Sequence, residues 1–290
     1  MPETQPPSIG LCAQIACILD VVSFKPGNVN LVFFGGDLRA FDLLASAAAI
    51  APVLEQAPLR RVGDTILECV RETRKVTATN TNLGIVLLLA PLATVQPHVD
   101  IRGGLMRVLI RLDVADARAA YQAIRLAQPG GLGSVPEQDV SGEPTVSLRE
   151  AMALAADRDL VARQYVNDFE QVFEGAEMLR ELVTPKDTEL ETAVTRLYLQ
   201  LLAKYTDSLI ERKFGRPIAE EVSRRAREIV QSSAGYAESA LTSLDSFLRA
   251  GPVMLANPGT TADLVTASLF VALRKGIIQL PLTRSASRRG

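Results

Sequence analysis

Several short polar segments contain the residues whose types could support chemistry, and each lies at the edge of an apolar stretch. The first is SFKPGNVN at residues 23–30, where the Pro-Gly pair predicts a turn. Lys25 and Asn28 would bring a cation and an amide to this turn, and that combination could bind an anion or a phosphate. An ordinary turn that ends a helix and carries a solvated lysine is the alternative.

The second segment, NTNLG at residues 80–84, precedes the apolar run IVLLLA, which is typical of a buried helix. Asn80, Thr81 and Asn82 can cap that helix, and the free N–H groups of its first turn would bind a phosphate. Polar groups clustered beside a core need partners, and a bound ligand is one candidate. A cap without any ligand is the alternative.

The third segment, NPGTTADL at residues 257–264, opens another apolar helix. Thr260 or Thr261 is predicted to cap this helix, and both could donate to a phosphate. Asp263 falls in the predicted first turn, where a carboxylate suits the helix dipole. Helix capping is one interpretation of Asp263, and metal binding or proton abstraction is the other.

The fourth segment, around residues 205–215, is rich in charge. Asp207 and Glu211 are four residues apart on one predicted helix face, so a cation between them would relieve their repulsion. That cation could be Mg²⁺, Arg212, Lys213 or the lysine of another helix. A solvated helix face is the alternative.

Other side chains that are suited to catalysis give weaker patterns. Asp37 and Asp42 form a second charged cluster, for which a solvated face is again the alternative. His98 is predicted to lie in a loop. The three cysteines, at positions 12, 17 and 69, lack the spacing of zinc ligands and are predicted to be buried free thiols. Rossmann, serine-hydrolase and zinc-hydrolase chemistries have no motif in this sequence.

Composition excludes further classes of protein. The 290 residues are 48% hydrophobic and 22% charged, which is typical of a globular chain, and the net charge of −2 gives no excess to bind nucleic acid. The start, MPETQPPS, lacks the pattern of a signal peptide. The longest apolar run, residues 84–93, is about half of the ~20 residues that span a bilayer. We therefore expect a cytoplasmic protein with no membrane or nucleic-acid partner.

Helical periodicity dominates the chain, whereas only residues 30–34 suggest an extended piece. Apolar residues at 161, 165, 169, 172, 173, 176 and 179 predict one stripe, and similar stripes follow along the chain. We predict an all-α fold of roughly eleven helices in a single compact domain over residues 8–282. The tails at residues 1–7 and 283–290 are predicted to be disordered. A long Gly- and Pro-rich loop at residues 128–144 is predicted to close over a ligand.

Taken together and in this order, the polar segments resemble those of the triphosphoribosyl-dephospho-CoA synthase family. The residues that carry the resemblance are KPGNV at 25–29, DL at 37–38, FDLLASA at 41–47, NTNLGI at 80–85, DSLI at 207–210 with Arg212, and NPGTTADL at 257–264. The resemblance spans about residues 8–276, nearly the whole chain, and implies an all-helical fold.

The resemblance also implies a reaction. A ribose 2′-hydroxyl of dephospho-CoA attacks C1 of the ATP ribose, adenine leaves and the triphosphate stays on the sugar. Such a reaction needs a base for the hydroxyl, a carboxylate near the developing oxocarbenium ion, and Mg²⁺ with cations for the phosphates. The implied phosphate ligands are Lys25, Asn28, Asn80, Thr81, Asn82, Arg212, Lys213, Thr260 and Thr261. The implied catalytic acids are Asp37, Asp42, Asp207 and Asp263, the last two also as ligands of Mg²⁺.

Two positions depart from the family pattern, which often has histidines where this chain has Gly35 and Asn82. A divergent member could use an acceptor other than dephospho-CoA. We therefore keep two alternatives to the implied transferase. One is an enzyme of coenzyme biosynthesis with the same fold and a different acceptor or ATP chemistry. The other is a non-catalytic helical protein that binds a nucleotide.

Overall fold

The chain is helical throughout the part that the structure, a computed structural model, describes: residues 6–31, 39–130, 135, 137–184, 188–233, 235–249 and 256–282. The all-α prediction is confirmed. Within these ranges lie fourteen α-helices and a short 3₁₀ helix at Ala57–Leu59. The α-helices are α1 (Ile9–Val22), α2 (Ala40–Glu55), α3 (Val62–Val76), α4 (Leu83–Thr94), α5 (Ile101–Ile110), α6 (Val114–Ala127), α7 (Leu148–Ala153), α8 (Leu160–Val166), α9 (Glu170–Val183), α10 (Leu190–Lys204), α11 (Ser208–Phe214), α12 (Arg216–Gln231), α13 (Glu238–Arg249) and α14 (Gly259–Arg274).

The number of helices exceeds the predicted eleven because some helices are too short to show a clear period. Helices α7, α8 and α11 have only six or seven residues each. The stripe predicted from residue 161 to residue 179 is also divided. Asp168 and Phe169 adopt left-handed backbone conformations, with φ of 56° and 62°, and this turn separates α8 from α9.

Two apolar helices, α4 and α14, form the centre of the fold. Ten of the twelve residues of α4 and thirteen of the sixteen residues of α14 are buried. Helix α14 packs against α9, α1, α4 and α10, and α4 also contacts α3 and α5. Because helices surround both, their N-terminal ends lie beside the core. No helix among the described residues is both long and apolar enough to cross a membrane.

A proline within α4 is compensated by a tyrosine from another helix. Pro91 has no N–H group, so the carbonyl of Leu87 loses its partner in the helix. The hydroxyl of the fully buried Tyr165 donates to that carbonyl at 2.6 Å. This hydrogen bond fixes α8 against α4 one turn beyond the NTNLG segment.

The predicted turn at residues 23–30 is held by α10 and α13. Thr195 and Tyr198 donate to the carbonyls of Phe24 and Pro26, both at 2.8 Å. Gly27 has a φ of 76°, and a Cβ there would lie 2.6 Å from the Leu248 side chain, so glycine is required for the turn and for the docking of α13.

One buried carboxylate connects the starts of α11 and α14. Asp207 is fully buried, and its Oδ1 atom accepts hydrogen bonds at 3.0 Å from the N–H groups of Leu209 and Ile210. Its Oδ2 atom accepts from the N–H and the hydroxyl of Thr261, at 2.7 and 2.8 Å. Four donors therefore satisfy both oxygens and fix the two helices relative to each other.

Some predictions fall outside the described residues. These are Asp37, Gly35, residues 1–5 of the N-terminal tail, the C-terminal tail at 283–290 and parts of the 128–144 loop. The described cysteines are confirmed as buried and free. Thr184 is the C-cap residue at the end of α9, where its hydroxyl donates back to the carbonyl of Arg180.

We predict that Asp207→Ala destabilises the protein strongly. The change removes a helix cap, which typically contributes about 1 kcal/mol, and leaves the buried N–H of Thr261 unpaired, which costs about 1–3 kcal/mol. The free energy of unfolding, measured by urea denaturation, should fall by about 2–4 kcal/mol. Asp64→Ala, at an exposed position in α3, is the control. A loss no larger than that of the control would show that the connection is unimportant.

Candidate active site

A cavity of about 690 Å³ lies where the N-terminal ends of several helices converge. Its lining includes residues near the starts of four helices: Leu83 and Gly84 of α4, Val161 and Ala162 of α8, Leu209 of α11 and Thr260 of α14. The N-terminal end of a helix carries a partial positive charge and free N–H groups. The convergence of four such ends favours an anionic ligand.

Charged side chains of both signs line this cavity. The cations are Arg158, Arg212, Lys213 and Arg249, and the acids are Glu137, Asp139, Asp159, Glu211 and Asp263. Apolar side chains also line it, among them Leu87, Ile124, Leu148 and Met152. The cavity can therefore accommodate a ligand that has both highly charged and apolar groups.

Asp263 is the acid that lies closest to the start of α4. A Cβ on Gly84 would be only 2.0 Å from its Oδ2 atom, so the carboxylate occupies space that only glycine leaves free. The sequence predicted Asp263 in the first turn of its helix. Because α14 starts at Gly259, Asp263 lies in the second turn instead. Its side chain makes no hydrogen bond or ion pair with any described residue.

Burial and neighbouring acids raise the pKa of Asp263 well above its ordinary value. The largest cause is burial, and the negative charges of Asp20, Asp207 and Asp159 add to it. Arg212 opposes the increase. An unpaired carboxyl with a raised pKa is the environment expected of a general base or a cation ligand.

Arg212 is positioned by an acid from α8. Its Nη1 atom donates to Oδ2 of Asp159 at 3.2 Å, while Oδ1 of Asp159 caps α8 by accepting from the N–H groups of Val161 and Ala162. The Nε atom of Arg212 is buried and has no hydrogen-bond partner in the described part of the chain. The guanidinium therefore retains donor capacity at the cavity.

Arg249 links the cavity to the turn at residues 23–30. It forms an ion pair with Asp245 at 2.8 Å and donates to the carbonyl of Asn28 at 2.7 Å. Asp245 also accepts from the N–H of Gly27 at 2.8 Å. The turn thus contributes to the site through its backbone and through α13.

Comparisons with known proteins show the family of this chain. The family model of CitG, described as ATP:dephospho-CoA triphosphoribosyl transferase, matches residues 6–280. This chain belongs to that family. The crystal structure of a "putative triphosphoribosyl-dephospho-coA synthase" from Archaeoglobus fulgidus is similar as well, with 32% sequence identity and a TM-score of 0.65. The similarity covers 80% of this chain and 99% of that one. A search of curated proteins finds no match.

Membership of the family makes this chain a transferase that moves the triphosphoribosyl group of ATP to dephospho-CoA. Of the residues predicted for the site, the structure brings together five at the cavity. They are Asn80, Arg212, Lys213, Thr260 and Asp263. These five come from distant parts of the sequence, so the fold itself assembles them.

Other predicted phosphate ligands of the transferase lie elsewhere and have protein partners. Lys25 is fully buried and forms an ion pair with Asp20 at 3.2 Å. Burial lowers the pKa of Lys25 and raises that of Asp20. Thr81 shares a hydrogen bond with Ser46 at 2.6 Å, and Asn28 donates to Asn257 at 2.8 Å.

The remaining predicted residues also have structural partners. Asn82, where the family often has a histidine, starts α4 but bonds Thr73 of α3, at 3.0 Å. Asp42 binds Arg39 within the first turn of α2, and this contact lowers the pKa of Asp42. Thr261 bonds Asp207, and neither of them lines the cavity.

Several residues in or behind the wall of the candidate site were not predicted from the sequence. Asp20 is the one charged residue of α1, an otherwise apolar helix, and that isolation was an available signal. Asp159 precedes an apolar stripe at the position of an N-cap, which was a second signal. Arg158 and Arg249 stand among many surface arginines, and nothing in their spacing distinguishes them.

We predict that Gly84→Ala impairs the transferase by displacing Asp263. Alanine favours a helix over glycine by about 1 kcal/mol, so the loss should appear in activity more than in stability. We expect adenine release to fall by about 100-fold, on the scale of a 1 Å displacement of a catalytic group. Gly103→Ala is the control, because its Cβ would meet only the ends of flexible side chains, those of Asp100 at 3.2 Å and Arg107 at 3.8 Å. Equal activity of the two variants would contradict the prediction.

Proposed function

We propose that the cavity is where the ribose 2′-hydroxyl of dephospho-CoA attacks C1 of the ATP ribose. The C1–N9 bond to adenine breaks, a C1–O bond to the acceptor forms, and adenine leaves with the electron pair of the broken bond. The observation that supports this site is the unpaired carboxyl of Asp263 beside four converging helix N-terminal ends. The product would be a precursor of a prosthetic group.

The cations that line the cavity suit the triphosphate. Arg212, Lys213 and Arg249 provide guanidinium and ammonium donors, and charge-assisted hydrogen bonds to phosphate are among the strongest in proteins. Asn80 and Thr260 add neutral donors at the starts of α4 and α14. These groups would hold the triphosphate while the sugar bond is exchanged.

Asp263 is suited to accept the proton of the attacking hydroxyl. A base works best when its pKa lies near the pH of the reaction, and an ordinary carboxylate is too weak. Burial and the neighbouring acids raise the pKa of Asp263 toward that range. When ionised, the same carboxylate would also stabilise positive charge that develops at C1.

A divalent metal would suit the other free carboxylate near the phosphates. Glu211 of α11 lines the cavity, and its side chain makes no hydrogen bond or ion pair with the described residues. Asp207 does not fit the predicted role of a metal ligand, because four donors already occupy its oxygens. The described residues contain no preformed group of three metal ligands. Mg²⁺ commonly takes one or two carboxylates and completes its shell with substrate phosphates and water, and it would neutralise phosphate charge here.

We predict that Asp263→Asn removes most of the transferase activity. Loss of a general base typically costs about 10²- to 10⁴-fold in rate. The assay is chromatographic detection of free adenine after incubation with Mg²⁺, ATP and dephospho-CoA. ATP binding and thermal stability should persist in the variant, and Asp64→Asn is the control.

Two outcomes would contradict this proposal. Near-normal adenine release by Asp263→Asn would exclude the base. A variant that recovers full activity at high Mg²⁺ concentration would identify Asp263 as a metal ligand instead.

The pH dependence provides a second test with opposite expected shifts. The base must be ionised, so the rate should rise with pH through the raised pKa of Asp263. Asp159→Asn removes a negative neighbour and should move this rise to lower pH, whereas Arg212→Gln removes a positive neighbour and should move it to higher pH. Profiles of kcat against pH for the three proteins measure the shifts. Shifts in the same direction would show that another group controls the rate.

A further inference from the structure

A second cavity of about 330 Å³ lies at the other end of α4. We call it the arginine groove, and its charged and polar lining consists of Arg60, Arg61, Arg107, Arg111, Thr94, Gln96 and Asp116. It is formed by the C-terminal end of α4, one face of α5 and the residues before α3. The eleven-residue separation of Leu83 from Thr94 places it about 16 Å along the axis of α4 from the active-site cavity.

Three of the four arginines of the groove have no counter-charge. Asp116 is the acid in its lining, and its oxygens accept from the N–H of Gly63 at 2.9 Å and from Arg61 at 3.0 Å. Arg61 also pairs with Asp113. The exposed side chains of Arg60, Arg107 and Arg111, in contrast, make no hydrogen bond or ion pair with any described residue. An anion bound in the cavity would be attracted by all three positive charges and would relieve the repulsion among them.

The geometry of α5 explains why the charges meet there. Arg107 and Arg111 are one turn apart and share a face of α5. A Cβ on Gly104, on the same side, would lie 2.4 Å from Val95, so this glycine lets α5 approach the end of α4. Apolar side chains of Val95, Val99 and Val108 complete the lining.

We propose that the arginine groove is a second anion site that binds the diphosphate group of a small molecule or of inorganic diphosphate. The planar guanidinium group presents paired donors that match phosphate oxygens, and three such groups suit an anion with several negative charges. Thr94 and Gln96 supply further donors at the same cavity. The site is separate from the cavity in which we place the transfer reaction.

The two α5 arginines have another possible role, since positive charge in the last turn of a helix is favourable by itself. That role does not require Arg60, which precedes α3. It predicts a loss of helix stability when the α5 arginines are replaced and no change in anion binding. Measuring anion binding after the α5 arginines are replaced separates the two roles.

Calorimetric titration of the full chain with inorganic diphosphate at low ionic strength tests the proposal. The double variant Arg107→Gln/Arg111→Gln should bind one diphosphate fewer than the original chain, or bind it at least about ten-fold more weakly. Arg102→Gln is the matched control, because Arg102 is on α5 but does not line the groove. Adenine release at saturating substrates should remain in the double variant, which also shows that it is folded.

Uridine diphosphate as a second probe distinguishes the two sources of the anion. Equal affinity for both probes indicates recognition of the phosphates alone, and tighter binding of the nucleotide indicates that the apolar lining contacts the rest of the molecule. Diphosphate binding by the double variant that equals binding by Arg102→Gln would overturn the proposal. The original chain could release no adenine and still bind one diphosphate more than the double variant. That result would refute the proposed function and support the anion site in the arginine groove.

Discussion

The hydrogen bonds of Asp207 are the interaction on which the arrangement of the active site depends. A carboxylate removed from water is tolerated only when its oxygens are satisfied, and here four donors from two helix starts satisfy them. Because the donors belong to α11 and α14, the requirement fixes the relative position of these helices. Arg212 lies on α11 and Asp263 lies on α14, so a cation and an unpaired acid reach the same cavity. A residue that does not touch the ligand space thereby determines its charge pattern.

The site combines two opposing electrostatic requirements. A triphosphate needs positive potential, which the arginines and the helix N-terminal ends provide. Proton abstraction needs a basic carboxyl, and burial together with the surrounding acids provides it by raising the pKa of Asp263. Asp20 and Asp207 do not line the cavity, whereas Asp159 and the arginines do. Arg212 serves both requirements. It adds positive charge to the cavity, and it pairs with Asp159 and limits the increase in the pKa of Asp263.

The sequence was sufficient for the fold class, the family and the segments around the site. Helical periods and polar interruptions are local features, so NTNLG and NPGTTADL could be placed at the starts of apolar helices without coordinates. The direction of each side chain could not be predicted in the same way. Asn80 and Asn82 have the same chemistry and are two residues apart, yet one lines the cavity and the other bonds Thr73. That difference depends on which helix passes beside each residue, and the helix that decides it, α3, is specified elsewhere in the chain.

Helix α4 has a consequence for how the enzyme tolerates change. A helix that is buried along nearly its whole length has no solvent-facing side on which a substitution can be absorbed. Volume changes in its middle, at Leu88 or Leu89, must push the helix sideways or along its own axis. Movement along the axis changes the clearance between Gly84 and the acid beside it, where not even one methyl group fits. The packing of the core and the position of the catalytic acid are therefore coupled in this protein. A conservative substitution far from the ligand can preserve the fold and still lower the rate of the reaction.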